Sequence, residues 1–158
     1  MNTRKKIIIL IVVASSVLFY CAKKPNYSKS PQISFKSFNV LSKDSALFTI
    51  SFSDGDGDIG GSPVGEGNFY LTYYFWENDI NMYNVFKDTT FLNDTIDART
   101  FPSPSDAYKN KPISGEIAIL LSPYRKDNSI KKLKLSCFIK DNAGNKSNII
   151  TTPELNAP

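Results

Sequence analysis

Ile130-Lys131-Lys132-Leu133-Lys134-Leu135-Ser136-Cys137-Phe138-Ile139-Lys140 decides the fold. In an extended chain Leu133, Leu135, Cys137 and Ile139 fall on one side, with Lys132, Lys134 and Lys140 on the other. A two-residue period of this kind marks a β-strand with one face in a core and the other in water. The same parity recurs upstream. Ile117, Ile119 and Leu121 share a face, and so do Ala46, Phe48, Ile50 and Phe52. Ile33 and Phe35 begin a shorter strand. Residues 68–77 are long, aromatic and β-prone, with Phe69, Leu71, Tyr73 and Phe75 on one face and Tyr70, Thr72, Tyr74 and Trp76 on the other. Segments 82–87 and 91–101 supply further short strands, and 148–152 closes the series. No segment sustains a helical period. Short strands separated by turn residues predict an all-β antiparallel sandwich of about seven or eight strands. Phe48, Ile50, Phe52, Ile117, Ile119, Leu133, Leu135 and Ile139 are its expected core.

The N-terminus is an export address. Arg4, Lys5 and Lys6 precede an uncharged apolar run over 7–20, and Cys21 and a polar tract follow. A basic start, a short apolar stretch and an abrupt polar boundary read as a secretory signal. The run is too short to span a bilayer comfortably, which takes roughly 20 apolar residues. Val17-Leu18-Phe19-Tyr20-Cys21 resembles a bacterial lipobox, in which cleavage precedes a Cys that carries lipid. Tyr20 stands where that family has a small residue, so an ordinary signal with an incidental Cys is the alternative. The expected organisation is a signal peptide over 1–20, a lipid-anchored tether over 21–32, the sandwich over 33–152 and a tail over 153–158.

Nineteen Lys and Arg against fifteen Asp and Glu give the 158-residue chain a formal net charge of +4. Three of those bases lie in the signal and every acid lies beyond it, so the mature chain carries sixteen bases and a net charge of +1. Nucleic-acid binding calls for a clustered basic face on a strongly basic domain, and this balance argues against it. Acids concentrate between Asp44 and Asp106, where Lys87 and Arg99 are the only bases. Aromatic content of 13% favours strands and excludes a disordered chain. Cys137, on the inward face of its strand, is expected to be an inert buried thiol. A Cys21–Cys137 disulfide is the alternative in an oxidising compartment.

Asp54-Gly55-Asp56-Gly57-Asp58-Ile59-Gly60-Gly61 holds the clearest chemistry. Three carboxylates at alternate positions repel one another in a tight loop. Ca²⁺ removes that repulsion and takes six to eight oxygen ligands from carboxylates and carbonyls. The glycines let the backbone fold around an ion. Ile59 and Gly65 stand where an EF-hand needs Gly and Glu, so this is not an EF-hand. The competing view is a turn, since Asp-Gly pairs favour tight hairpins. Asp54, Asp56 and Asp58 are the expected ligands of a structural Ca²⁺, joined by the Ile59 carbonyl and by Asp141 from the second turn-rich segment. That segment is Asp141-Asn142-Ala143-Gly144-Asn145-Lys146-Ser147-Asn148.

The two motifs together, the Asp-Gly loop and the late Asp-x-Ala-Gly-Asn-x-Ser-Asn run, resemble those of immunoglobulin-like lipoproteins of Bacteroidota. The resemblance implies an immunoglobulin-like sandwich in the cell envelope and carries no assigned activity. Ala22-Lys23-Lys24 is basic where surface-displayed members are acidic after the Cys, which favours the periplasmic face of the outer membrane.

The chain has no His. That removes the commonest general base, the Ser-His and Cys-His pairs and the commonest Zn ligand. A non-catalytic role is expected: a Ca²⁺-stabilised interaction, adhesion or scaffold module, tethered to a membrane by lipid on Cys21, with a protein or glycan partner. The alternative is a carbohydrate-binding module. For that, Tyr70, Tyr74 and Trp76 would form an exposed aromatic row. Against it stands core packing, with Trp76 as a filler between the sheets.

Overall fold

The computed structural model describes residues 26–61, 67–85, 96–125 and 128–158. The signal and Cys21 lie outside those residues, as do 86–95, so the strands expected over 82–87 and 91–101 are seen only in part. The described strands are β1 (Gln32–Val40), β2 (Ala46–Asp54), β3 (Phe69–Glu77), β4 (Met82–Val85), β5 (Asp97–Arg99), β6 (Ile113–Leu121), β7 (Lys132–Ile139), β8 (Ile150–Thr151) and β9 (Leu155–Asn156). One 3-10 turn, Asp106–Tyr108, precedes β6.

Every strand pairing is antiparallel. One sheet runs β1-β2-β6, and the other runs β4-β3-β7-β8 with β5 on β3 and β9 on β7. β2 therefore pairs with β6 and β3 with β7, while β2 and β3, consecutive in sequence, sit in opposite sheets. This interlocked Greek-key pairing is that of an immunoglobulin-like sandwich.

The core lies between the inward rows. Phe48 and Ile50 of β2, Phe69 and Leu71 of β3, Leu121 of β6 and Leu133, Leu135 and Ile139 of β7 are wholly buried. Phe48 meets Phe69 edge-on across the sheets, with ring centres 6.2 Å apart. Each buried Leu, Ile or Phe side chain contributes about 1.5–3 kcal/mol, so these rows dominate stability.

Several expectations need correction. Phe52 is half-buried and packs on the rim of the core, because it lies opposite the open Gly115 near the sheet's end. β1 is nine residues long, not a short start at Ile33. A bulge between Phe35 and Ser37 resets its parity, so the simple alternation stops while the strand continues. The presumed tail carries β9, where Leu155 pairs with Leu133 and is buried. At the far end of the presumed tether, Pro31 is buried and Gln32 already pairs with Ser53. Cys137 is, as expected, a buried free thiol, its pKa pushed up to about 12 by burial.

Candidate metal centre

β2 ends on Asp54, and the chain then turns through Gly55, Asp56, Gly57, Asp58, Ile59 and Gly60. Positive φ at Gly57 (68°) and Gly60 (81°) allows this path. The loop is hemmed in by other segments. A side chain on Gly55 would meet the carbonyls of Tyr27 and Ser28, 2.7 and 2.8 Å from its Cβ, and one on Gly57 would meet the carbonyl of Lys111 at 2.7 Å. Ile59 is buried in the core and forms an isolated antiparallel bridge with Asp141. Asn142 N donates to Asp58 O at 3.0 Å beside that bridge. Asn68, also buried, pins the neighbouring backbone: its Oδ1 accepts from Phe101 N at 3.0 Å, and its carbonyl accepts from Lys140 N at 2.9 Å.

Asp54, Asp56 and Asp58 bring one carboxylate oxygen each to within 4.8 Å of one another. Two of the three outer oxygens are held by backbone amides. Gly57 N donates to Asp54 Oδ2 at 2.7 Å, and Ala143 N donates to Asp58 Oδ2 at 3.1 Å. The inner oxygens, Oδ1 of Asp54, Asp56 and Asp58, are buried and accept nothing. Asp54 is itself 0% exposed. Backbone amides therefore satisfy two outer oxygens, one from within the turn and one from Ala143 across the fold, and leave the inner three unsatisfied. An amide bond to a charged group contributes about 1.5–3 kcal/mol. One close carboxylate pair costs about 4 kcal/mol at the effective dielectric of a protein surface. Two such bonds do not offset three mutual repulsions, and one divalent cation among the inner oxygens reverses them.

The acidities reflect this crowding. Burial, opposed by the Gly57 bond and reinforced by Asp56 and Asp141, raises the Asp54 pKa above the carboxylate range. Asp58 is pushed to about 6, first by burial and then by the charges of Asp141 and Asp56.

Asp141 stands beside the cluster rather than within it. Its Oδ1 accepts from Asn145 N at 2.7 Å and its Oδ2 from the Asn145 side-chain amide at 2.8 Å. Its first duty is to close its own turn, with Gly144 at φ 88°. Ile59 keeps its side chain in the core and pairs through its backbone with Asp141. Ala143 and Asn145 belong to the late motif, but nothing in the sequence assigned either of them a role. They act through the amide of Ala143 and the turn bonds of Asn145, and neither leaves a distinctive residue-type signal.

The aromatic row is neither buried filler nor bare platform. Tyr70, Tyr74 and Trp76 are half-buried on the outer face of the β4-β3-β7-β8 sheet, because Phe69, Leu71, Tyr73 and Phe75 take the inner face. Trp76 meets Tyr83 of β4 edge-on at 5.1 Å with ring planes 69° apart. Among the described residues the largest fully buried side chain is that of Tyr124, after β6.

No protein-family model matches the chain, and neither a curated protein nor a solved structure does so.

Proposed function

We propose that the chain is a non-catalytic cell-envelope lipoprotein whose sandwich, braced by Ca²⁺, serves adhesion, scaffolding or capture of a partner. The observation that carries the cation is the trio of buried, unpartnered oxygens on Asp54, Asp56 and Asp58. Ca²⁺ suits them because it accepts irregular all-oxygen coordination, whereas Mg²⁺ demands near-octahedral geometry and dehydrates reluctantly. Burial of the inner oxygens favours a structural ion over one that handles substrate. The absence of His from the sequence supports a non-catalytic role. The signal and Cys21 support a lipid tether, as does the resemblance to immunoglobulin-like lipoproteins. More than one acyl chain is needed for stable anchoring.

Titrating Ca²⁺ into chelator-treated protein tests the ion. A ligand that binds only the folded state stabilises it by about 2.7 kcal/mol at a hundred times its Kd. An unchanged melting temperature at millimolar Ca²⁺ leaves turn chemistry alone. Mass spectrometry of the envelope-extracted protein tests the anchor, which requires an N-terminal Cys21 carrying lipid mass.

A second reading is carbohydrate binding. The outward placement of Tyr70, Tyr74 and Trp76 favours it, since rings outside the core remain within reach of a ligand.

A further inference from the structure

The outer face of the β4-β3-β7-β8 sheet pairs rings with ammonium groups at both ends of β3. At one end Tyr70 stacks on Phe138, with centroids 4.6 Å apart and planes 11° apart. Lys140 Nζ lies 5.2 Å from the Tyr70 centroid, and Lys146 Nζ lies 3.8 Å from that of Phe138. At the other end Lys132 Nζ lies 5.8 Å from the Trp76 ring and Lys134 Nζ 4.5 Å from the Tyr83 ring. Tyr70 and Trp76 are six residues apart on one strand, a span of roughly 20 Å at 3.3 Å per residue. Between the two clusters runs a row of hydroxyls, with Thr72 opposite Ser136 and Ser136 opposite Thr151.

Charge on this face is one-sided. Four lysines meet a single acid among the described residues, Glu154, which Lys132 and the Tyr83 hydroxyl already engage at 3.1 and 2.6 Å. Lysine ammonium groups over rings are held by about 0.5–1 kcal/mol at exposed sites, so they swing away readily when offered a carboxylate. That movement uncovers the ring for the C–H face of a sugar. Ring faces, cations and hydroxyls in alternation match a linear polymer that is polyhydroxylated and anionic along its length. An acidic peptide has no use for the ring-and-hydroxyl pattern, and a neutral glycan has none for the lysines.

We infer that this face binds a carboxylate-bearing polysaccharide chain laid along β3, an inference that rests on the carbohydrate-binding reading above. The test uses the detergent-solubilised full chain and calorimetric titration with oligogalacturonates of increasing length. Maltohexaose, poly-glutamate and anionic phospholipid vesicles serve as comparisons. Affinity for oligogalacturonate should rise with length until the oligomer covers both clusters, and should fall as NaCl is added. Trp76→Ala and Tyr70→Ala should each weaken it by about tenfold, corresponding to about 1.4 kcal/mol, and the pair Lys134→Ala with Lys140→Ala should weaken it further and flatten the salt dependence. Equal binding of maltohexaose overturns the anionic specificity while leaving carbohydrate binding intact. Equal binding of poly-glutamate, or undiminished binding by the ring variants, reduces the face to bulk charge and overturns the inference. Binding of vesicles alone, or of no probe, overturns the inference and the carbohydrate reading together.

Discussion

Asn148 grips the backbone of Ile33 with both ends of its side chain. Its Oδ1 accepts from Ile33 N at 2.7 Å and its Nδ2 donates to Ile33 O at 2.9 Å. A carboxamide thus behaves as one residue of a neighbouring strand. It stitches β1, the edge of one sheet, to the segment entering β8, the edge of the other. Ser147 secures the same turn, its Oγ accepting from Ile139 N at 3.0 Å and donating to Asn148 O at 2.7 Å. The late motif is thereby explained residue by residue. Asp141 and Asn145 close the turn, Gly144 supplies the positive φ, and Ser147 and Asn148 dock it on the sheets.

Asn148→Ala should lower stability by about 1–2 kcal/mol, the net value of two hydrogen bonds with some relief by water. Urea unfolding should show a lower midpoint with an unchanged m-value. Asn148→Asp keeps the acceptor but sets a carboxylate oxygen against the Ile33 carbonyl, so its midpoint should fall to that of the Ala variant or below it. An Ala variant as stable as the parent would remove the clasp from the list of stabilising contacts.

Much of this fold was legible because β2, β6 and β7 each bury one face, and a period of two then names the core directly. β3 was ambiguous for a physical reason. Both of its faces are apolar, and its inward face is set only by register with β7, where Leu71 lies opposite Cys137 and Tyr73 opposite Leu135. β1 was half-legible, since a bulge changes parity without any residue-type signal. The three aspartates were legible by count and spacing. Their convergence was not, because it depends on glycine torsions and on Ala143, 85 residues away. The lysines that cap the outer rings read as ordinary solvent-facing positions.

Asp58→Asn separates charge relief from metal binding. The amide oxygen can still accept from Ala143 N, and the new NH₂ then faces the inner oxygens of Asp54 and Asp56. In chelator the variant should melt several degrees above the parent, because a repulsion becomes a hydrogen bond. In Ca²⁺ it should gain little while the parent gains much. The order of the two proteins should therefore reverse between EDTA and millimolar Ca²⁺. A parent that stays below the variant in both conditions speaks against the ion.

The metal-free domain should also gain stability on mild acidification. The Asp58 carboxyl is pushed up to about 6 in the folded chain from its ordinary 3.8, so the folded state holds more protons between those limits. Stability then falls as pH rises from about 4 to about 6, and it levels off above the folded pKa. Asp54, raised for the same leading reason of burial, adds to the slope in the same direction. Saturating Ca²⁺ should reverse the trend, since protons compete with the ion for the same oxygens. Denaturant midpoints at pH 5 and pH 7, with and without chelator, read both slopes.

Two glycines with positive φ give the last contrast. Gly144 has φ 88° and nothing within 4 Å of a Cβ built on it. Gly144→Ala should cost only the left-handed backbone strain of about 1–2 kcal/mol. Gly57 has φ 68°, and a Cβ there would press on the backbone carbonyls of Tyr108 and Lys111. Neither carbonyl can retreat as a flexible side chain would, so Gly57→Ala combines strain with overpacking, about 3–5 kcal/mol together. Gly57 N is also the donor that orients Asp54, so displacing it turns an inner oxygen away from the cluster. The Gly57 variant should therefore lose its Ca²⁺ response as well as its stability, whereas the Gly144 variant keeps the response and shifts only its baseline. Melting curves of both variants with and without Ca²⁺ decide it. Equal losses would mean that the crowding around the aspartate loop yields more easily than its backbone contacts imply.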